Sequence, residues 1–155
     1  DTDFVKELCD WMVLEGINLR WSCQTRFDTL DADMLTSMKR AGCRLIMFGV
    51  ESGSERILTD IEKNISKEKY LEGMKMMKAS GIGTCCFFMF GFEDETGVER
   101  DKTVDLALQM NPDYASFFIC RPYPGTKFHE KLYGKQIILK RYRDTRRRSL
   151  NGLCR

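Results

Sequence analysis

The chain has 155 residues, 43% apolar and 31% charged, with a formal net charge of +2, which suits one core-forming domain or a piece of a larger one. No apolar run approaches the roughly 20 residues of a membrane-crossing helix, and the acidic, amphipathic opening Asp1 to Glu7 lacks the basic-then-apolar order of a secretory leader. The charge is uneven: residues 140–155 hold seven basic groups against Asp144, so the body before them is net acidic and gives no reason to expect a polyanion as partner.

In chain order, Val5, Leu8, Cys9 and Met12 make a helical stripe that ends near Gly16. Ile17 to Cys23 is short, apolar-rich and strand-like. Asp31 or Asp33 can cap the next helix, which sets Met34, Leu35, Met38 and Ala41 on one face and stops at Gly42. Cys43 to Val50 is a continuous apolar run, as expected of a strand covered on both faces. A short helix follows from about residue 54 to 61. Ser66 opens a longer one, with Tyr70, Leu71, Met74 and Met77 inward and Gly81 as its stop. Ile82 to Phe90 is the next strand, and Thr96 with Glu99 has capping-box spacing at the head of a helix to about Met110. Tyr114 to Cys120 is a fourth strand, closed by RPYPGT. Trp11 and Trp21 are expected in the core, and His129 on an exposed helical face.

Strand and helix alternate every 30 residues or so, which argues for repeated βα units and a parallel sheet in an α/β fold. The spacing fits an open doubly wound sheet or an arc of a (β/α) barrel. An eight-strand barrel needs about 250 residues, and the chain starts with Asp1 rather than Met, so an upstream segment is expected. Residues 1–134 hold all the periodic segments; residues 135–155 read as a basic, poorly ordered tail.

Seven cysteines stand at 9, 23, 43, 85, 86, 120 and 154. None forms CxxC, and no histidine lies near enough to complete a zinc pattern, so no metal ligands are assigned. They are expected to be reduced thiols of a cytoplasmic protein. A Gly-rich phosphate loop, a nucleophile elbow and a metal motif are all missing, which excludes several enzyme classes.

Parallel α/β sheets carry their chemistry beyond the carboxyl ends of the strands. In this chain those positions hold Gln24 and Arg26, then Gly49, Glu51 and Ser52, then Gly91, Glu93, Asp94 and Glu95, then Arg121, Tyr123 and Thr126. Each has a plain structural reading beside the functional one. Ser52 and Glu55 have S-x-x-E spacing, so Ser52 can serve as a helix cap. Glu51 can answer a helix dipole, or can reach ligand hydroxyl or ammonium groups between Gly49 and Gly53. Arg26 can pair with Asp28 or with a ligand carboxylate.

The series WSCQTRFDTLDADMLTSMKRAGCRLIMFGVESGSERIL, FFMFGFEDET and PDYASFFICRPYPGT resembles the radical S-adenosylmethionine (SAM) superfamily. It is most similar to the subfamily with a cobalamin-binding domain ahead of the barrel. Those enzymes read W-x-C-x-x-R, A-G-C, F-G-x-E-S-G, G-x-P-G-E-T and P-Y-P-G-T along successive strands, and all five blocks have counterparts over residues 21–126. The resemblance implies part of a (β/α)6 partial TIM-type barrel. It implies SAM as a ligand, with Glu51 and Ser52 at the ribose, Arg26 at the methionine carboxylate or the substrate, and Gly91 close to the adenosyl group. It further implies reductive cleavage of SAM to a 5′-deoxyadenosyl radical in a methyltransferase or cyclase that acts on a small molecule, with cobalamin as a further cofactor and a flavodoxin or ferredoxin as reductant.

Two departures stand out. The CxxxCxxC that holds the family's [4Fe–4S] cluster occurs nowhere in the chain, so the cluster ligands are expected outside it and the chain alone is expected to be inactive. Glu93 and Asp94 also replace the Pro and Gly of G-x-P-G-E-T, which is expected to change that turn and add charge. No single catalytic residue is assigned. The rival reading is a non-catalytic α/β domain that binds a partner such as RNA through the strand-end rim and the basic tail; only one aromatic residue in that tail, Tyr142, speaks for nucleic acid.

Overall fold

The computed structural model describes residues 1–134. The basic tail, 135–155, lies outside the described residues. Two compact units divide the chain, residues 1–119 and the segment from Cys120 onward.

The first unit runs α1 (Thr2–Leu14), β1 (Trp21–Thr25), a 3-10 turn (Phe27–Thr29), α2 (Ala32–Arg40), β2 (Cys43–Glu51), α3 (Glu55–Asp60), α4 (Lys67–Ser80), β3 (Gly83–Phe90), α5 (Gly97–Met110) and β4 (Tyr114–Ile119). The four strands form one sheet in the order β1-β2-β3-β4, every pair parallel. Helices α1 and α2, α2 and α4, and α4 and α5 pack side by side in chain order. A doubly wound sheet would reverse strand order at a switch point. This sheet does not, so of the two architectures open on sequence it is the arc of a (β/α) barrel.

The core lies between sheet and helices. Ile46, Phe48 and Val50 of β2 and Cys86 and Phe88 of β3 are buried with Met34, Leu35 and Met38 of α2, Tyr70, Met74 and Met77 of α4, and Leu106, Ala107 and Met110 of α5. The alternate residues Leu45, Met47, Phe87 and Met89 are only partly covered. Period-2 alternation therefore divides each central strand into a helix-covered face and a less covered one.

Caps define the helix starts. Asp31, not Asp33, caps α2 by accepting from Met34 N–H at 2.8 Å. Ser66 caps α4, Gly81 ends it in the left-handed conformation at φ 64°, and the Thr96–Glu99 capping box opens α5 as its spacing predicts. The first strand differs from expectation: Ile17–Arg20 are not in it, because pairing starts where Trp21 meets Cys43 and residues 17–20 have no strand opposite them. The indole N–H of Trp21 donates to Ala41 O at 2.8 Å, but Trp11 is 52% exposed and outside the core. Leu8, too, faces outward, leaving Val5, Cys9 and Met12 as the packed stripe of α1.

The six described cysteines are all free thiols, with Cys9, Cys43, Cys85 and Cys86 buried. Burial pushes the Cys86 thiol up to about 12 and also raises Cys9, so both stay protonated. In the second unit α6 (Lys127–Gly134) starts beside Thr126, whose hydroxyl oxygen accepts from His129 N–H at 3.1 Å; His129 itself is half-buried rather than exposed. Among the described residues no helix is long and apolar enough to cross a membrane.

The loop from β2 into α3 is pressed against α5. A Cβ on Gly53 would overlap the carbonyl of Lys102 and come within 2.8 Å of Thr103 N. Backbone atoms cannot swing aside as a side-chain tip can, so Gly53→Ala is expected to destabilise the fold by about 1–3 kcal/mol, the usual cost of overpacking. A lowered urea midpoint with an unchanged slope would show it; an unchanged midpoint would refute the close contact.

Candidate functional site

Three strand exits meet at the carboxyl edge of the sheet. The exit of β2 carries Glu51 at φ 72°, a backbone conformation that non-glycine residues rarely take. Ser52 N–H donates to Val50 O at 3.0 Å around it, closing a three-residue γ-turn. The ladder with β3 shifts register at this point: Gly49 faces Phe87, Glu51 faces Phe88, and Val50 is passed over. This β-bulge turns the Glu51 side chain back over Gly49, where an added Cβ would overlap Oε1 of its carboxylate. Glycine at 49 makes the space that the acid fills.

Lys63 completes this corner. Its ammonium lies 3.2 Å from Glu51 Oε1, and the two side chains are 13% and 23% exposed. Glu62, at φ 59°, ends α3 and turns the chain so that Lys63 comes back to the rim. Sequence reasoning missed Lys63. Its only signal is a basic residue just beyond a short helix whose other end holds an acid.

At the exit of β1, Arg26 donates from Nε and Nη2 to the two carboxylate oxygens of Asp28 at 2.9 and 2.7 Å, with 52% of the arginine side chain exposed. That guanidinium holds the Asp28 carboxyl below the usual carboxylate range. The anchor of the loop is Phe27, fully buried, stacked on Phe48 at 4.0 Å between ring centres and edge-on to Tyr70 at 5.5 Å. Gly73 of α4 leaves room for it, since a Cβ there would overlap the Phe27 ring. Both readings of Arg26 stay compatible: it is paired with Asp28 and still open to solvent.

At the exit of β3, Gly91 takes φ 82° and its N–H donates to Glu95 Oε2 at 2.6 Å. The other oxygen, Oε1, is buried and has no hydrogen-bond partner. Asp94 takes φ 54° and Glu95 N–H donates to Phe92 O at 3.2 Å, a four-residue turn with its third residue left-handed. A Pro-Gly pair also favours a turn of this kind, and Asp94 adopts a conformation that glycine would take without strain.

Ser52 lies elsewhere. Its hydroxyl is fully buried, 3.2 Å from Thr103 Oγ1, and accepts from Ser54 N–H at 3.1 Å. Ser54, not Ser52, caps α3. The Ser52 hydroxyl is thus spent on holding the strand exit, while Glu51 stands four residues before the first residue of α3 and does not serve its dipole. Beside them Glu99 accepts from Arg56 at 2.7 and 2.9 Å, from Ser54 Oγ at 2.9 Å and from Thr96 N and Oγ1 at 2.9 Å each. The Arg56 guanidinium, followed by the Thr96 amide, holds the Glu99 carboxyl far below the usual range. Arg56 also reaches Asp60 at 2.9 Å and the Asp94 carbonyl at 3.4 Å, tying the β2 and β3 exits together.

The donor set fits part of SAM. A carboxylate over a bare glycine can accept from two ribose hydroxyls, the Arg26 and Lys63 cations suit an α-carboxylate, and Glu95 Oε1 is an acceptor lacking a donor. No described residues form a cluster that could hold a metal, so a [4Fe–4S] cluster does not fit on them.

The profile of the radical SAM superfamily matches residues 2–107. The chain belongs to that superfamily. An uncharacterized methyltransferase of Pyrococcus horikoshii is 35% identical over 125 residues, covering 81% of this chain and 27% of the relative. The anaerobic magnesium-protoporphyrin IX monomethyl ester cyclase of Rubrivivax gelatinosus is 25% identical, covering 83% of this chain and 24% of the cyclase. Among solved structures, the radical SAM methyltransferase TsrM of Kitasatospora setae, with cobalamin and a [4Fe–4S] cluster bound, superposes with a TM-score of 0.67 at 17% identity, over 76% of this chain and 23% of that one. The radical SAM chain thus spans about a quarter of the length of the curated relatives it matches.

Two stability predictions come from the rim. The unfolded Glu99 carboxyl titrates near 4.5 and the folded one lower, so the stabilisation from its partners is complete above about pH 4.5 and fades as pH falls towards the folded value. The stability gap between the native chain and Glu99→Gln, followed by denaturant melts from pH 7 to 3, is expected to stay flat and then narrow below about pH 4.5. A gap that widens in acid would refute the assignment. Asp94→Gly is expected to raise stability by about 0.5–1 kcal/mol by relieving left-handed strain; a lower melting temperature would count against it.

Proposed function

We propose that this radical SAM chain is the part of an enzyme that holds S-adenosylmethionine at the carboxyl ends of its strands. The observation that carries the reading is Glu51, kept in a left-handed turn over side-chain-free Gly49 within the matched region. In this reading Glu51 accepts from the ribose hydroxyls, Arg26 and Lys63 meet the methionine carboxylate, and Gly91 lets the backbone come close to the adenosyl group. Ser52 contributes by fixing the backbone, its hydroxyl being committed elsewhere. Lys63 already pairs with Glu51; on binding, Lys63 exchanges Glu51 for the methionine carboxylate and Glu51 exchanges the ammonium for ribose O–H donors, so neither charge is left without a partner in this half-buried corner.

In this reading Glu51, Arg26, Lys63 and Gly91 would hold SAM, which would supply 5′-deoxyadenosyl radical chemistry, with the electron coming from a [4Fe–4S] cluster held by residues other than the described ones. The sequence holds no CxxxCxxC, so this reading takes the cluster ligands to come from outside it. The relatives support a methyltransferase or cyclase working on a small molecule. The subfamily likeness and the cobalamin-bound neighbour support cobalamin as a further cofactor. A flavodoxin or ferredoxin as electron donor and a cytoplasmic setting complete the reading; the free thiols accord with that setting. The rival reading, a non-catalytic partner-binding domain, finds no support in the family match, and its basic tail lies outside the described residues.

Glu51→Gln in the cluster-bearing enzyme, titrated with SAM by anaerobic calorimetry, is expected to weaken binding about tenfold or more, the scale of losing a charge-assisted hydrogen bond. An unchanged Kd would remove Glu51 from the site. The 155-residue chain treated with iron and sulfide is expected to form no 5′-deoxyadenosine from SAM; its appearance would mean that cluster ligands had been overlooked.

A further inference from the structure

We propose that Tyr70 is a positioning residue for Glu51: its phenol O–H holds the Val50 carbonyl, and with it the turn that presents the Glu51 carboxylate. The inference rests on the reading of Glu51 as a ligand contact.

Tyr70 belongs to the outer helix layer, on α4, and is fully buried. Its hydroxyl reaches inward to Val50 O at 3.2 Å. Val50 is the residue that the β2–β3 ladder passes over, so the bulge takes its carbonyl out of the regular register. Two donors converge on it instead, Tyr70 O–H from outside and Ser52 N–H at 3.0 Å from within the γ-turn. A buried carbonyl needs such donors, and the turn around Glu51 has a positive φ that the chain alone would not favour. Removing the phenol oxygen takes from the Val50 carbonyl the donor that reaches it from α4 and leaves it the Ser52 N–H within the turn. Relaxing the turn moves the carboxylate off Gly49. The Tyr70 ring has a separate task, packing edge-on against Phe27, and Tyr70→Phe keeps that contact while deleting the one oxygen. Burial raises the phenol above its ordinary range, with Glu51 adding to the effect, so the O–H remains a donor at neutral pH.

The test is a double-mutant cycle in the cluster-bearing enzyme: native, Tyr70→Phe, Glu51→Gln and the double variant, each titrated with SAM and each melted thermally. Tyr70→Phe is expected to weaken SAM binding about fivefold when Glu51 is present and to change it less than twofold when Glu51 is already glutamine. A merely structural role would lower the melting temperature alike in both backgrounds without this dependence on Glu51. Tyr70→Phe that leaves Kd unchanged, or that weakens binding equally in both backgrounds, would overturn the proposal and leave Glu51 standing if Glu51→Gln still weakens binding. An unchanged Kd for Glu51→Gln would overturn both. Tyr70→Met, another side chain without the donor, runs through the same cycle should the phenylalanine variant not fold.

Discussion

The backbone of Gly53 lies directly on the backbone of α5, and the exit of β2 can stand nowhere else while that contact is kept. Around it the hydroxyls of Ser52, Ser54 and Thr103 are closed off from water, and that of Ser54 donates to Glu99 Oε1 at 2.9 Å. Thr103 Oγ1 accepts from Gly53 N–H at 2.9 Å, donates to Glu99 O at 3.1 Å and sits beside Ser52 Oγ, which in turn accepts from Ser54 N–H. Buried polar groups of this kind are tolerated when they satisfy one another, and this set does. Its consequence is positional: the residues just before it, including Glu51, leave the strand at a fixed point.

From that anchor the rim is tied outward. Arg56 joins the start of α3 to Glu99 at the start of α5 and to the carbonyl of Asp94 in the β3 exit. The exits of β2 and β3 are therefore parts of one hydrogen-bonded frame. Among the described residues four non-glycine residues have positive φ; two of them, Glu51 and Asp94, lie on these exits, and a third, Glu62, turns Lys63 towards them. Left-handed backbone at such positions persists only where surrounding contacts enforce it, and the frame supplies those contacts. A site ordered in advance loses less freedom when a ligand binds.

Much of this was legible in the residues themselves. Each strand and helix could be placed from apolar periodicity and capping residues, and the Thr96–Glu99 box was read correctly because both halves of it are local. Glu51 and Arg26 stood out because charge at a strand exit is costly without a reason. The misreadings share one cause, dependence on a neighbour far along the chain. Ile17–Arg20 looked strand-like but met no partner. Trp11 is apolar enough for the core and faces outward. Ser52 and Ser54 carry the same hydroxyl within two residues of each other, and only the approach of Thr103 decides which is spent on the network and which caps the helix.

The sequence by itself determined the repeating βα order, the parallel sheet and the superfamily, because local propensity and motif spacing are properties of contiguous residues. Tertiary structure alone decided that the sheet is an arc with its strands in chain order, that Lys63 pairs with Glu51 across twelve positions, and that Tyr70 on an outer helix reaches the turn behind the acid. Those are contacts between segments separated in sequence, set by how the helices pack on the sheet, and no local pattern encodes a distance of that kind.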